Sequence, residues 1–181
     1  MNQKGAIQKV FGKDVEVIFS AEEIQSRIKE LALQIEQDYP DGDVDVIGVL
    51  KGSFLFMGDL VRALNIPVRC DFMRVSSYKN DRSTGNVRME FDVTQPIEGQ
   101  NVLLVEDIVD TGTTLRYLLS HIKNNKPNSV RVASLLYKET GNGMRDFVDY
   151  TAFECPDRYV IGYGLDSSGL YRSLPYVGAF L

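Results

Sequence analysis

Residues 102–114 read VLLVEDIVDTGTT, and this stretch says the most about the fold. Its apolar run Val102–Val105 is typical of a strand that is buried on both faces of a sheet. The carboxylates of Glu106 and Asp107 follow the run, and Asp110 precedes a turn of one glycine and three threonines. A glycine-containing turn at the start of a helix offers free N–H groups to an anion. The stretch therefore predicts a phosphate site beside carboxylates that can accept from a sugar diol or bind Mg²⁺.

Strand and helix patterns alternate along the rest of the chain. Apolar or alternating runs predict strands at Val15–Phe19, Val44–Leu50, Val68–Val75, Asn101–Val105, Val130–Tyr137 and Tyr159–Leu165. Helical spacing predicts one helix along Ile24, Ile28, Leu31 and Ile35, a second over Phe54–Leu64 and a third over Thr113–Lys123. This alternation favours a parallel α/β sheet with right-handed crossovers, in which ligands bind beyond the carboxyl ends of the strands.

Two local signals refine this scheme. Ser20 followed by Glu23 is the signature of a capping box at the start of the first helix. The polar run Ser76–Asn86 separates two strand-like runs and is long for a hairpin loop, and long loops are often functional or mobile. A plain solvated hairpin explains this run equally well.

Composition limits the possible classes of protein. A chain of 181 residues without repeats or linkers predicts a single domain over residues 1–181. The net charge of −5 argues against broad nucleic-acid binding, which needs a basic face. No apolar run approaches the ~18 residues of a membrane helix, and no secretory signal is visible. Cys70 and Cys155 are isolated in the sequence, which predicts reduced thiols and a cytoplasmic location.

Three other phosphate-binding motifs compete for the stretch at 102–114. It lacks the Gly-Lys-Ser/Thr ending of a Walker loop and the glycine spacing of a dinucleotide-binding turn. The string VLLVED also resembles the opening of phosphoacceptor receiver domains, which carry their acidic pair near the N-terminus. Here 105 residues precede the pair, and no aspartate ends the run Val130–Tyr137, so a receiver domain is disfavoured.

The stretch resembles the phosphoribosyl-pyrophosphate (PRPP) motif of type I phosphoribosyltransferases. Further segments extend the likeness from about Phe19 to Leu174, and in order and spacing they resemble the hypoxanthine-guanine phosphoribosyltransferase family. These segments are Val49–Ser53, Ser77-Tyr78, Ser134–Lys138, Asp157–Asp166 and Tyr171-Arg172. The resemblance implies an α/β fold of the type I phosphoribosyltransferase kind, with a central mostly parallel sheet flanked by helices, a small hood and a β-hairpin lid.

The resemblance also implies which residues bind PRPP. The 5′-phosphate would be held by Thr111, Gly112, Thr113 and Thr114. Pyrophosphate would be bound by Arg172 and by the backbone N–H groups of Leu50, Lys51 and Gly52, across a cis peptide bond between Leu50 and Lys51. Glu106 and Asp107 would hold the ribose hydroxyls and their Mg²⁺, and Asp166 a second Mg²⁺. One departure is Thr113, where some members have lysine, so this phosphate site is less basic.

The purine would be bound by a second group of residues, again by resemblance. Lys138 would donate a hydrogen bond to the 6-oxo group, Tyr159 would stack on the base, and Val160 would read its edge through the backbone. Ser77 and Tyr78 would belong to the lid. Asp110 lies near the expected site of bond formation and is the candidate general base for the purine N7 proton.

The sequence therefore predicts a Mg²⁺-dependent purine salvage enzyme. Hypoxanthine or guanine plus PRPP would give IMP or GMP plus pyrophosphate, without nucleic-acid or membrane partners, and the family resemblance suggests a homodimer or homotetramer. Two alternatives keep the same fold: an enzyme that prefers xanthine, and a non-catalytic regulator that senses nucleotides. An assay of PRPP-dependent nucleotide formation with several bases would separate them.

Overall fold

The computed structural model describes residues 3–40, 42–77, 87–139 and 143–181. Its α-helices are α1 (Ala21–Asp38), α2 (Phe54–Ala63) and α3 (Thr113–Asn124). Its strands are β1 (Ile7–Val10), β2 (Lys13–Phe19), β3 (Val44–Leu50), β4 (Val68–Ser77), β5 (Val87–Phe91), β6 (Asn101–Val109), β7 (Ser129–Lys138), β8 (Tyr150–Cys155), β9 (Val160–Ile161) and β10 (Val177–Phe180). The predicted helices and most of the predicted strands are therefore present, with shifts of a few residues at their ends.

A six-stranded sheet in the order β5-β4-β3-β6-β7-β8 forms the centre of the molecule. All neighbouring pairs are parallel except β4 and β5, which are antiparallel. The carboxyl ends of β3, β6 and β7 therefore lie at one edge, where loops carry the predicted site residues. The mostly parallel sheet expected from the alternating pattern is confirmed.

Helices cover both faces of this sheet because successive strand residues point to opposite sides. Val46 and Leu103 pack in a core with α1 and α2, whereas Ile47 and Leu104 pack in a second core with α3. The predicted capping box begins α1: the Glu23 N–H donates to Ser20 Oγ over 3.2 Å, and the Ser20 N–H donates to Glu23 Oε2 over 2.8 Å. The helix thus starts where the sequence predicts.

A second, four-stranded sheet has the order β1-β2-β10-β9 and is antiparallel throughout. This sheet, together with residues 162–176 that connect β9 to β10, is called the hood below. Two of the predicted strands, Val15–Phe19 and Tyr159–Leu165, lie in this hood and not in the central sheet. The strand at 159–165 is also shorter than predicted, since Gly162 and Gly164 adopt φ values of +93° and +100° that end the extended backbone.

Three further differences concern the central sheet. β6 continues to Val109, so the acidic pair lies within the strand and not after it. β8 is an additional edge strand that the sequence pattern does not predict. Of the long polar loop, Ser76 and Ser77 end β4 and residues 78–86 lie outside the described ranges. In the described ranges, no helix combines the length and apolar character needed to cross a membrane.

Candidate active site

A cleft of about 460 Å³ opens at the carboxyl ends of β3 and β6. Strand β6 supplies its acidic wall, because Glu106 and Asp107 are consecutive strand residues and approach the cleft from opposite faces of the sheet. Asp110 follows directly after the strand and also lines the cleft. Three carboxyl groups of one short segment therefore face the same space.

The first two carboxyl groups are hard to ionise. Burial, and after it the charge of Asp107, raise the pKa of Glu106 well above its ordinary value. Burial also raises the pKa of Asp107 to about 6, although the N–H of Ile108 donates to its carboxylate over 2.9 Å. Asp166 adds to this effect from the hood, while Arg172 opposes it. A bound cation or a diol donor would relieve the repulsion between these groups.

The loop after β3 forms the opposite wall of the cleft. The peptide bond between Leu50 and Lys51 is cis, as the family resemblance implied. Gly52 is buried against Asp107, and a Cβ atom at this position would overlap the Asp107 carboxylate. Leu50, Lys51 and Gly52 all line the cleft. The absence of a side chain at Gly52 therefore lets the loop backbone approach the acidic strand closely.

The threonine turn begins α3 and closes the end of the cleft. Gly112 has φ +75° and immediately precedes the helix, and a Cβ atom on it would overlap the side chain of Met144. Thr111 and Thr113 are exposed, with their hydroxyl oxygens 3.2 Å apart. Hydroxyls and free N–H groups at a helix N-terminus form an arrangement that binds phosphate.

Lys138 ends β7 next to this turn and is only 7% exposed. Its Nζ lies 3.4 Å from Asp110 Oδ2 and 3.6 Å from Asp157 Oδ1. A buried ammonium group needs such partners because burying an isolated charge is very costly. Lys138 and Asp110 thus form a cation–carboxylate pair at the ends of neighbouring strands.

The hood supplies the remaining side chains. Arg172 Nη2 pairs with Asp166 Oδ1 at 2.6 Å, and Arg172 Nη1 donates to the carbonyl of Gly164 over 2.5 Å. Exposed Tyr159 donates from its hydroxyl to the backbone carbonyl of Asp166 over 2.9 Å. Val160 lies buried in β9. Asp166 and Arg172 reach the cleft opposite Asp107, whereas Tyr159 lies at its margin.

The cleft collects most of the residues that the sequence predicted for the site. Its lining includes Leu50, Lys51, Gly52, Glu106, Asp107, Asp110, Thr111, Gly112, Thr114, Asp166 and Arg172. Lys138 and Tyr159 contact the lining residues Asp110 and Asp166, Thr113 lies between the lining residues Gly112 and Thr114, and Val160 is buried in β9 and is not among the lining residues. Ser77 is the last residue of β4, and Tyr78 lies outside the described residues.

The sequence analysis missed Asp157, the second partner of Lys138. Asp157 follows β8, whose Cys155 pairs in register with Lys138, so recognising β8 as a neighbour of β7 would have indicated this contact. Burial raises the pKa of the Cys155 thiol, and the residue is a free cysteine, as the sequence predicts.

The carboxylates fit a divalent cation of the Mg²⁺ type. Mg²⁺ takes oxygen ligands and is usually bound by one or two carboxylates together with substrate phosphates. Asp107 and Asp166 are close enough for the charge of one to raise the pKa of the other, which a bound cation would reverse. No cluster of three or more His, Cys, Asp or Glu side chains that could hold a metal occurs in the part of the chain that the structure describes.

Comparisons with known proteins agree with this geometry. The phosphoribosyl transferase domain matches residues 14–168. The hypoxanthine-guanine phosphoribosyltransferase of Dictyostelium discoideum is 45% identical over 168 residues, covering 90% of this chain and 93% of its own. That of Bacillus subtilis is 42% identical over 167 residues, covering 91% and 93%.

Solved structures give the same result. A hypoxanthine-guanine phosphoribosyltransferase from Bacillus anthracis superposes with a TM-score of 0.87 at 40% identity, over 92% of this chain and 98% of that one. A Trypanosoma cruzi hypoxanthine phosphoribosyltransferase variant, complexed with the product IMP, has a TM-score of 0.87 at 40% identity, over 96% and 94%.

Proposed function

This chain belongs to the phosphoribosyl transferase family, and from that premise we propose that it is a purine salvage enzyme. It would convert hypoxanthine or guanine and PRPP to IMP or GMP and pyrophosphate, as the names of its relatives indicate. The observation that carries the proposal is the pair of Lys138 and Asp110, 3.4 Å apart beside the threonine turn. Lys138 thus supplies a hydrogen-bond donor and Asp110 a carboxylate, side by side next to the proposed phosphate site.

The pair matches one edge of a 6-oxopurine. The O6 and N7 atoms of such a base lie side by side on this edge. Lys138 has donors only, so it would bind the acceptor O6, while Asp110 would face N7. Tyr159 would stack on the ring, and the backbone of Val160 would read the opposite edge. The base would then lie between the end of β7 and the hood.

The same arrangement supports general base catalysis by Asp110. In the reaction the purine N9 forms a bond to the anomeric carbon, and the bond from that carbon to pyrophosphate breaks, with its electron pair leaving on the pyrophosphate oxygen. A proton must leave N7 of the base, and Asp110 would accept it. General base catalysis contributes about 10²–10⁴-fold to rates of this kind.

The two ends of PRPP would be held by separate walls of the cleft. Thr111, Gly112, Thr113 and Thr114 would bind the 5′-phosphate at the start of α3. The backbone N–H groups of the loop Leu50–Gly52 and the guanidinium of Arg172 would bind pyrophosphate. The threonine turn closes the end of the cleft and the loop lies opposite β6, so the anomeric carbon would lie between the two groups.

Three carboxylates would hold Mg²⁺ in the complex. Glu106 and Asp107 would bind the ribose hydroxyls and one ion, and Asp166 would take part in binding a second. Mg²⁺ would neutralise charge that develops on the departing pyrophosphate. Arg172, paired with Asp166, would bring its positive charge to the same end of the cleft.

A direct assay tests the proposal. Purified protein is incubated with PRPP, Mg²⁺ and one of four bases (hypoxanthine, guanine, xanthine or adenine), and nucleotide and pyrophosphate are measured. We expect turnover with hypoxanthine and guanine, none with adenine, and loss of turnover with excess chelator. Turnover mainly with xanthine would favour the xanthine-preferring alternative, and binding without turnover would favour a regulator.

The domain organisation, location and oligomeric state of the protein are proposed as follows. We propose that residues 1–181 form one domain, that the protein acts in the cytoplasm, and that it assembles into a homodimer or homotetramer. Sedimentation velocity over a range of protein concentrations tests the last of these.

A further inference from the structure

The hood contacts the loop after β3 through backbone atoms. Gly164 has φ +100°, and a Cβ atom on it would overlap the carbonyl oxygen of Gly52. Gly52 in turn lies against Asp107 on its other side. The hood, the loop and the acidic strand therefore form three successive layers, with no side chain between Gly164 and Gly52. A small displacement of the hood would change the width of the cleft directly.

Tyr163, the neighbour of Gly164, is anchored outside the cleft. This residue is 5% exposed, and its hydroxyl donates to Asp59 Oδ2 over 2.6 Å. Asp59 lies in the middle of α2, the helix that follows the loop. Its carboxylate also accepts from Gln25 of α1 over 2.6 Å and contacts Arg62 at 3.4 Å. Both helices on this face of the sheet thus hold the acceptor of Tyr163 in place.

The same anchor fixes the backbone that carries Arg172. The Tyr163 N–H donates to the carbonyl of Leu174 over 2.9 Å, and the Gly164 N–H donates to the carbonyl of Arg172 over 3.0 Å. The Arg172 side chain returns to the carbonyl of Gly164. β9 is held by its pairing with β10, whereas residues 162–174 are held by turns, by these hydrogen bonds and by the apolar packing of Tyr163, Leu165 and Tyr171. The hydroxyl of Tyr163 therefore adds a directed hydrogen bond to the apolar packing between this segment and α2.

We propose that Tyr163, acting through Asp59, is a positioning residue that holds Asp166 and Arg172 at the correct distance from the loop Leu50–Gly52. The proposal rests on the function proposed above, because it assigns these residues to the pyrophosphate end of PRPP. The purine end depends on Lys138 of β7 and Val160 of β9, which the central sheet and the β9–β10 pairing hold, and on Tyr159, which touches the anchored segment only through the Asp166 carbonyl. Loss of the anchor would therefore weaken PRPP binding more than purine binding.

Tyr163→Phe tests this role, and the chain supplies a matched control. Tyr150 is 4% exposed and also donates to an aspartate, Asp38 Oδ2, over 2.6 Å. It begins β8, at the end of the sheet opposite the cleft. Tyr150→Phe thus removes the same group from an equivalent bond. We expect KM for PRPP to rise about 3- to 10-fold in Tyr163→Phe, the range for one ordinary hydrogen bond. KM for hypoxanthine should change less than about twofold, and Tyr150→Phe should leave both near wild type.

Two further measurements separate positioning from general stability. Amide hydrogen exchange should accelerate at Tyr163 and Gly164 in Tyr163→Phe and stay at the wild-type rate there in Tyr150→Phe. Asp59→Asn keeps an acceptor oxygen for the tyrosine hydroxyl and should retain most of the affinity for PRPP, whereas Asp59→Ala should match Tyr163→Phe.

The outcomes that overturn the proposal are distinct. An active wild-type enzyme whose Tyr163→Phe variant has the same KM for PRPP as Tyr150→Phe would overturn the positioning role alone. Faster exchange with an unchanged KM would do the same, since Tyr163 would then be merely structural. A wild-type protein that neither binds PRPP nor forms nucleotide would refute the proposed function itself.

Discussion

Lys138, which we propose binds O6 of the purine, is also part of the fold. Its ammonium is almost completely buried, and two carboxylates, those of Asp110 and Asp157, compensate its charge. Three donors on one nitrogen allow it to keep a carboxylate partner while it binds another acceptor. A 6-oxopurine can therefore enter without leaving the lysine charge isolated.

The specificity of the site should depend on this lysine. Adenine carries an amino group at carbon 6, so donor would face donor. A site built around one hydrogen bond can reject such an analogue by 10⁴–10⁵-fold, and since Lys138 can swing we expect at least about 10³. Lys138→Gln offers an amide that can accept as well as donate. The ratio of kcat/KM for hypoxanthine to that for adenine should fall in Lys138→Gln and stay unchanged in Lys123→Gln, an exposed lysine on α3. An unchanged ratio in the first variant would show that Lys138 does not read this position.

The role of Asp110 can be separated from its ion pair. Asp110→Asn preserves the shape of the side chain but cannot accept the N7 proton, and we expect kcat to fall about 10- to 10³-fold. Affinity for PRPP, measured by calorimetry, should change little. Asp157→Asn removes the other carboxylate beside Lys138 and should retain most of the activity. A single-turnover rate near wild type in Asp110→Asn would contradict the assignment.

At the scale of elements, buried apolar strands were predictable and edges were not. β3 and the first half of β6 are recognisable because both faces are apolar. The second half of β6 cannot be predicted from its sequence pattern, because Glu106 and Asp107 are polar. This half is a strand because β6 pairs with β7 there. The edge strand β8 is stabilised by a residue far away in the sequence: Arg27 of α1 donates to the carbonyls of Thr151 and Ala152. A contact between residues more than a hundred positions apart produces no local sequence pattern from which β8 could be predicted.

One carboxylate in β4 stabilises the connection that leads into β6. Asp71 accepts from the N–H of Phe72 over 2.8 Å and from the N–H and hydroxyl of Thr94 over 2.7 and 3.0 Å. Partial burial raises the pKa of Asp71, but these hydrogen bonds together lower it below the ordinary value. A carboxylate with a lowered folded pKa stabilises the folded state while it is ionised.

Because the pKa of Asp71 is lowered in the folded state, the stability that Asp71 contributes should decrease at low pH. The contribution of Asp71 should be complete above the unfolded carboxyl pKa of about 3.9 and should decline as the pH falls below it. At pH 7, Asp71→Asn should reduce the free energy of unfolding by about 1–2 kcal/mol, because donors lose an acceptor oxygen. Urea unfolding at pH 7 and pH 3.5 should show a smaller difference at the lower pH. The exposed Asp14→Asn serves as control, and a difference that grew on acidification would exclude this explanation.

At the scale of the molecule, the sequence predicted residues that line one cleft, but it did not predict how the strands around them are arranged. Family resemblance pointed to loops that the structure does bring around one cleft. It did not reveal that β2 and β9 form a separate sheet, because strand patterns alone do not say which strands pair. Tyr163 lies in a segment that carries the resemblance, but Asp59 lies 104 residues away in none of them, so the sequence does not predict the contact between the two.

The contact between hood and central sheet should tolerate no added atom. Gly164→Ala places a Cβ against the Gly52 carbonyl and should lower kcat/KM at least about tenfold, because a displacement near 1 Å can cost 10²-fold. Gly12→Ala is the matched control: Gly12 also has positive φ (+81°) and lies in the hood, but a Cβ there meets nothing within 4 Å. Both variants should lose about 1–2 kcal/mol from backbone strain alone. Equal activities in the two would show that the contact does not affect the cleft.

The contacts of Gly52 with Asp107 and Gly164, here called the joint, also limit which substitutions the sequence of this protein can accept. Position 52 is limited by volume and not by chemistry, since any side chain there would overlap the Asp107 carboxylate of the acidic strand. Lys51 beside it is exposed and presents backbone to the cleft, so its side chain has room to vary. Natural or laboratory selection for a new substrate could therefore substitute the residues that surround the joint. The joint itself would have to be inherited unchanged.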